Sequence, residues 1–174
     1  LLTALTRHFS LEIDAQEEIR SLCAEMRVSV YDNGSAREVV YADIVTALCA
    51  RKLENAARTI LPPSSGLPHD LWAQALRKPR FPKELWPAQR RIAEAGLLKG
   101  NSGVVQMPTS AGKTRATELI IRSVFLSGRS NLAVIVAPFR SLCNDIRSDM
   151  VGAFVGEDVA IDEVSDSFLL DVDL

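Results

Sequence analysis

Residues 106–114 read Q-M-P-T-S-A-G-K-T, in which a glycine, a lysine and a hydroxyl-bearing threonine follow one another as a phosphate cradle requires. At such a bend successive backbone N–H groups and the N-terminus of the next helix converge on one point, and the lysine adds a full positive charge. The occupant that suits this arrangement is a nucleoside triphosphate. Lys113 is expected to reach the β- and γ-phosphates, and Thr114 to offer its hydroxyl to Mg²⁺, which keeps most of its waters and bridges phosphate oxygens. Gly112 permits close backbone approach, while Thr109, Ser110 and Ala111 line the loop. The strict pattern G-x-x-x-x-G-K-[ST] has a glycine where this chain has Met107. The plainer alternative is a loop in which Gly112 only makes a turn and Lys113 is a solvated charge.

The flanks supply the elements a cradle needs. Residues 103–107 (G-V-V-Q-M) are short, apolar and β-favouring, and Pro108 ends that stretch. After Lys113, the residues Ala116, Leu119, Ile120 and Val124 form one apolar stripe of a helix expected to end near Gly128. Strand, glycine-containing turn and helix therefore occur in order, and the expected fold class is α/β.

Pro108, Thr109, Ser110, Ala111, Gly112, Lys113 and Thr114 resemble motif I of superfamily 2 nucleic-acid helicases and translocases, commonly P-T-x-x-G-K-T. The run is especially similar to the superkiller-type (Ski-like) branch, and Met107 is tolerated in that pattern. Upstream, Phe81, Leu85, Trp86, Pro87, Ala88 and Gln89 resemble the adenine-reading segment, whose glutamine pairs with adenine through a donor and an acceptor together. Gln89 also fits an exposed polar position in a helix beginning near Pro87. Downstream, residues 132–137 (L-A-V-I-V-A) form a continuous apolar run, and Ala137, Pro138, Phe139, Arg140, Ser141 and Leu142 look like motif Ia, with Phe139 replacing the more usual threonine. In that family the segment contacts the nucleic-acid backbone, so Arg140 and Ser141 are the expected phosphate ligands, beside a helix starting at Ser141. Arg140 as a loop cap is the alternative, and Trp86 and Phe81 read as packing residues.

The resemblance covers roughly residues 80 to 165 and implies the first half of a RecA-like parallel sheet, an ATP and Mg²⁺ requirement, and single-stranded or duplex DNA or RNA as substrate. It also points to a bacterial antiviral-defence system in which such a motor is paired with a nuclease. Val159, Ala160, Ile161, Asp162 and Glu163 superficially resemble an acidic magnesium-binding strand, but Val164 and Ser165 depart from the pattern, and the run reads better as the next strand of the sheet. Residues 168–174 precede any convincing acidic motif or second lobe. Both ends suggest part of a longer protein, one that binds ATP but hydrolyses it poorly alone. A different P-loop enzyme would need an acceptor site or a guanine-reading N-K-x-D, and neither is present. A non-enzymatic interaction module with a structural nucleotide site stays open.

Composition sets the outer bounds. A chain of 174 residues with 47% hydrophobic content can bury a substantial core, and its net charge of −2 gives no overall basic field for nucleic acid. Cys23, Cys49 and Cys143 lack metal-site spacing and fit reduced thiols in a cytoplasmic protein. His8 and His69 have no ligand-like companions, and no run suits a signal peptide or a membrane span.

Three regions are expected: a helical accessory domain over 1–61, a linker and short helix over 62–80, and a partial RecA-like domain over 81–174. In the first, Ile19, Leu22, Cys23 and Met26 mark one helix, Val28 to Tyr31 suit a short strand, and Tyr41, Ile44, Val45 and Leu48 mark a longer helix after the Asn33-Gly34 turn. This region carries no catalytic constellation. It is expected to pack on the motor or dock a protein partner such as a nuclease. Pro62, Pro63, Ser64, Ser65 and Gly66 read as linker, and Asp70 as the cap of a helix from Leu71. Arg77, Lys78, Arg80 and Lys83 form a basic cluster that suits either a solvated loop or a phosphate contact.

Overall fold

A computed structural model describes residues 1–11, 13–108 and 111–164. Two compact units divide the chain, Leu1–Asn131 and Leu132–Leu174. Among the described residues no strand or sheet forms, which overturns the expected α/β parallel sheet. The apolar runs 103–107 and 132–137 are present, but among the described residues neither forms a strand, and Val104, Leu132, Val134 and Val136 stand exposed to solvent. A strand is stable only when a neighbour takes its N–H and C=O groups in a ladder, and among the described residues no β-ladder joins either run. Residues 159–163, read as the next strand, likewise lie outside any regular element.

The first unit is built on two cores. In the first core, α1 (Leu2–Ser10), α2 (Gln16–Asn33) and α3 (Ala36–Asn55) bury Ala4, Ile19, Cys23, Cys49 and Leu53 together. Ser35 caps α3 reciprocally: its hydroxyl accepts from the Glu38 N–H at 3.4 Å while the Glu38 carboxylate accepts from the Ser35 N–H at 2.7 Å. The Asn33-Gly34 turn falls where expected, but Val28 and Tyr31 continue α2 rather than forming a strand. On α3 the packed face is Ala42, Cys49 and Leu53, whereas Tyr41, Ile44 and Leu48 face solvent. Small residues thus bring α2 and α3 close, and the bulkier stripe is left outside.

The second core joins α4 (Ala57–Ser65), α5 (His69–Arg77), α6 (Pro87–Glu94), a 3-10 turn (Leu97–Lys99) and α7 (Lys113–Leu126). Leu61, Trp72, Leu76, Phe81, Leu85, Leu98 and Leu119 fill it. Pro62, Pro63, Ser64 and Ser65, read as linker, form the last turns of α4, which Gly66 closes at φ 73°. Burial explains the difference: Ser65 accepts from the Trp72 indole N–H at 3.0 Å and donates to Leu61 O at 2.8 Å. Pro68, rather than Asp70, precedes α5 as its N-cap residue.

The second unit contains the irregular run 132–137 and α8 (Arg140–Phe154), which ends in buried Met150 and Phe154. Among the described residues no helix is long and apolar enough to cross a membrane, and no cluster of acidic, histidine and cysteine side chains could hold a metal.

His8 makes the first core sensitive to acid. It is fully buried, its Nδ1 accepts from the Ala15 N–H at 3.4 Å, and its Nε2 has no acceptor among the described residues. Burial first, and then the charge of Arg58, lower its pKa below the ordinary 6.5, against a smaller opposing pull from Asp14. The unfolded chain therefore takes up a proton that the folded chain refuses, so this contribution is complete above pH 6.5 and is lost as pH falls below it. Urea unfolding between pH 7.5 and 5 is expected to show stability falling by up to about 1.4 kcal/mol per pH unit from this one proton. That slope should flatten in His8→Gln; an equal slope in both proteins would remove His8 from the account.

Candidate functional site

Gly112 sits immediately before α7 with φ 82° and ψ 39°, in the left-handed region that glycine occupies without penalty. A Cβ added there would lie 2.8 Å from Gln89 Nε2 and 3.9 Å from Trp86 Cε3. Two segments far apart in sequence therefore meet at this backbone, where the torsion strains any residue but glycine and a β-carbon would push the Gln89 carboxamide aside. The bend turns the chain into α7, whose ladder begins with the Ala116 N–H donating to Gly112 O at 2.9 Å. The amides of Lys113, Thr114 and Arg115 precede that ladder, as first-turn amides do in every helix.

Within the loop, the Ala111 N–H turns back to Pro108 O at 3.3 Å, so this amide serves the bend itself. Lys113 is exposed and Thr114 half-buried at the start of the helix. Thr109 and Ser110, also expected to line the cradle, lie outside the described residues.

Gln89 is buried in the first turn of α6. Pro87 opens that helix with a torsion already suited to it, and Gln89 Oε1 accepts from the Trp86 N–H at 3.0 Å. The exposed-polar alternative for Gln89 thus does not hold. Its carboxamide caps the helix with one oxygen lone pair and keeps a second lone pair, while Nε2 faces Gly112. Phe81 is core, as read, but Trp86 is 56% exposed. The indole stands open to solvent beside the bend.

Behind the bend, α7 is fixed by a buried charge cluster absent from the sequence reading. Glu118 and Arg122 are each 2% exposed, and Arg122 Nε donates to Glu118 Oε1 at 3.0 Å. Arg115 pairs with the other carboxylate oxygen, and the Arg122 guanidinium lies over the Phe81 ring at 5.5 Å. Losing one partner of such a buried pair costs about 3–5 kcal/mol, far more than a surface pair is worth, so rotation of α7 about its axis is strongly resisted. The glutamate at i and arginine at i+4 of the same helix were the available sequence signal. Ser123 adds a hydrogen bond from its hydroxyl to Leu98 O, and Arg129 Nη2 donates to the same carbonyl at 2.7 Å.

In the second unit, Arg140 is the first residue of α8 and Ser141 follows it, both exposed, with Phe139 as N-cap residue also exposed. The Cys143 N–H donates to Phe139 O at 3.1 Å, opening the helix one residue before Ser141. Asp162 and Glu163 are exposed.

Residues 86–165 match the family model described as DEAD/DEAH box helicase. The chain is similar to the Hachiman protein HamB of Bacillus cereus, 34% identical over 71 residues, which is 41% of this chain and 6% of that protein. It is also similar to the ATP-dependent DNA helicase Hel308 of Thermococcus kodakarensis, 32% identical over 79 residues, or 45% of this chain and 7% of the helicase. The Hel308 of Pyrococcus horikoshii is 32% identical over 68 residues, or 39% and 9% of the two chains. The matched segment thus spans less than a tenth of the length of these curated relatives. No solved structure matches the chain. Over residues 86–165, less than half of the chain, the sequence is thus similar to DEAD/DEAH box helicases of superfamily 2.

Proposed function

We propose that this chain is the ATP-binding part of an ATP-dependent nucleic-acid helicase or translocase, and that it binds ATP without hydrolysing it efficiently. The observation that carries the reading is the meeting of Gln89 and Gly112, which puts a carboxamide able to read a base beside a glycine bend that leads into a helix N-terminus. The bend fits a phosphate tail because it is kept clear of any β-carbon.

In this reading Lys113 neutralises the β- and γ-phosphates, and the amides opening α7 bind them. Thr114 gives its hydroxyl to Mg²⁺, with Ala111 and Gly112, and with Thr109 and Ser110, forming the loop wall. When bound, magnesium ATP supplies a polarised phosphoanhydride. The chain's own part is to bind and orient it: Gln89 faces the base edge and Trp86 offers an exposed ring beside it. Arg140 and Ser141 are assigned to nucleic-acid phosphates at the start of α8, where first-turn amides favour an anion. The Ski-like branch is supported by P-T-S-A-G-K-T, and a defence setting by the similarity to the Hachiman protein. Residues 1–61 are assigned to packing on the motor or docking a protein partner, residues 62–80 to the connection, and residues 81–174 to the motor.

Two substitutions test the site. Lys113→Ala is expected to weaken magnesium-ATP binding at least tenfold by calorimetric titration, about 1.4 kcal/mol, while the thermal unfolding curve stays in place because the side chain is exposed. Unchanged ATP affinity would retire the assignment. Gln89→Ala is expected to lower the preference for ATP over GTP in competition binding; equal selectivity in both proteins would show the base is read elsewhere.

A further inference from the structure

The segment carrying Trp86 and Gln89 is held from outside the helicase-matched region, by the junction of α3 and α4. There the chain runs extended for one residue, Ala56, with φ −59° and ψ 127°, and Ala56 makes an isolated antiparallel bridge with Glu84. The Ala57 N–H donates to Lys83 O at 2.9 Å, and the Leu85 N–H donates to Asn55 O at 2.8 Å. The Asn55 side chain then accepts from Arg90 Nη1 at 2.6 Å. One residue thus holds Leu85 with its backbone and Arg90 with its side chain. Leu85 immediately precedes Trp86, and Arg90 immediately follows Gln89, so both ends of the four-residue stretch from Trp86 to Gln89 are tied to Asn55. Lys52, one turn earlier on α3, pairs with Glu84 and reinforces the same contact.

The bonds lie in a place where they count. Ala56 and Ala57 are fully buried and Leu85 nearly so, so the backbone groups at the bridge have little access to water as an alternative partner. The Arg90 to Asn55 bond is charge-assisted and short. Because α3 is one arm of the α2–α3 pair, its axis is set by the first core, and Asn55 carries that placement to α6.

We infer that Asn55 is a positioning residue through which the N-terminal helices set where Gln89 and Trp86 stand against the Gly112 bend, and thereby tune selection of the nucleotide base. This rests on the proposed nucleotide site for its functional meaning, but not for its mechanics. Asn55→Ala removes the side-chain acceptor, whereas Asn55→Asp keeps one and serves as the conservative rescue; Arg90→Ala cuts the same bond from the other end should Asn55→Ala fold poorly.

Hydrogen exchange on the nucleotide-free protein reads the mechanics. In Asn55→Ala or Arg90→Ala the amides of Trp86 and Arg90 are expected to exchange at least tenfold faster, with those of α5 and the middle of α7 unchanged, and Asn55→Asp should restore protection. Unchanged protection at residues 86–90, acceleration spread evenly over the molecule, or no rescue by Asn55→Asp would each overturn the inference. The ratio of ATP to GTP affinity reads the consequence: it should fall at least threefold in Asn55→Ala and hold in Asn55→Asp. A localised exchange effect in a protein with no ATP affinity would leave the positioning role intact and sink the nucleotide reading instead. A localised effect with an unaltered ratio in a protein that does prefer ATP would overturn the role in base selection.

Discussion

A backbone torsion that favours glycine, with a neighbouring carboxamide beside it, is the constraint on which this architecture turns. Gly112 can stand at φ 82° because it has no side chain, and Gln89 can approach it for the same reason. Any shift of α6 or α7 along its axis would open that contact, so both helices have to be anchored from behind. The anchors are of different kinds. Glu118 and Arg122 fix α7 electrostatically against Phe81, and Asn55 with the Ala56 bridge fixes the start of α6 by hydrogen bonds.

Local signals in the sequence were faithful where the structure is decided locally. Pro87 marked the start of α6, the Gly112-Lys113 step marked the start of α7, and the Ala116 and Leu119 stripe lies buried as its spacing required. The Asn33-Gly34 break separates α2 from α3 as read. Signals that need a distant partner were not. The runs 103–107 and 132–137 have the composition of buried strands, yet a sheet is a property of pairing, and composition cannot supply the neighbour. Tyr41, Ile44 and Leu48 have core spacing, but the closer approach allowed by Ala42 and Cys49 put the other face inside. Pro62 and Pro63 looked like a linker because proline usually breaks helices; the Trp72 to Ser65 hydrogen bond, invisible in a linear reading, explains why α4 runs on.

Site residues divide the same way. Lys113 and Thr114 could be nominated from their types and order, and Gln89 from the resemblance of its segment to an adenine-reading motif. Asn55 was not legible, since an asparagine at the end of a helix is unremarkable until Leu85 and Arg90 are seen on either side of it. Glu118 and Arg122 were visible only as helix-spaced charges, which on an exposed face would contribute little. Their burial changes the sign of the argument, from a decorative pair to one whose disruption leaves an uncompensated charge in the core.

The two apolar runs outside regular elements have a physical consequence of their own. Val104, Val134 and Val136 present exposed β-favouring side chains outside any regular element, and exposed apolar segments of this composition favour association with another molecule's chain. Charge does little to oppose such association, because the net charge is only −2 and the isoelectric point of about 5.7 lies a short way below neutrality. Mild acidification would thus both soften the His8 core and remove the remaining electrostatic repulsion between molecules, so that loss of structure and self-association reinforce one another on the same side of neutral pH.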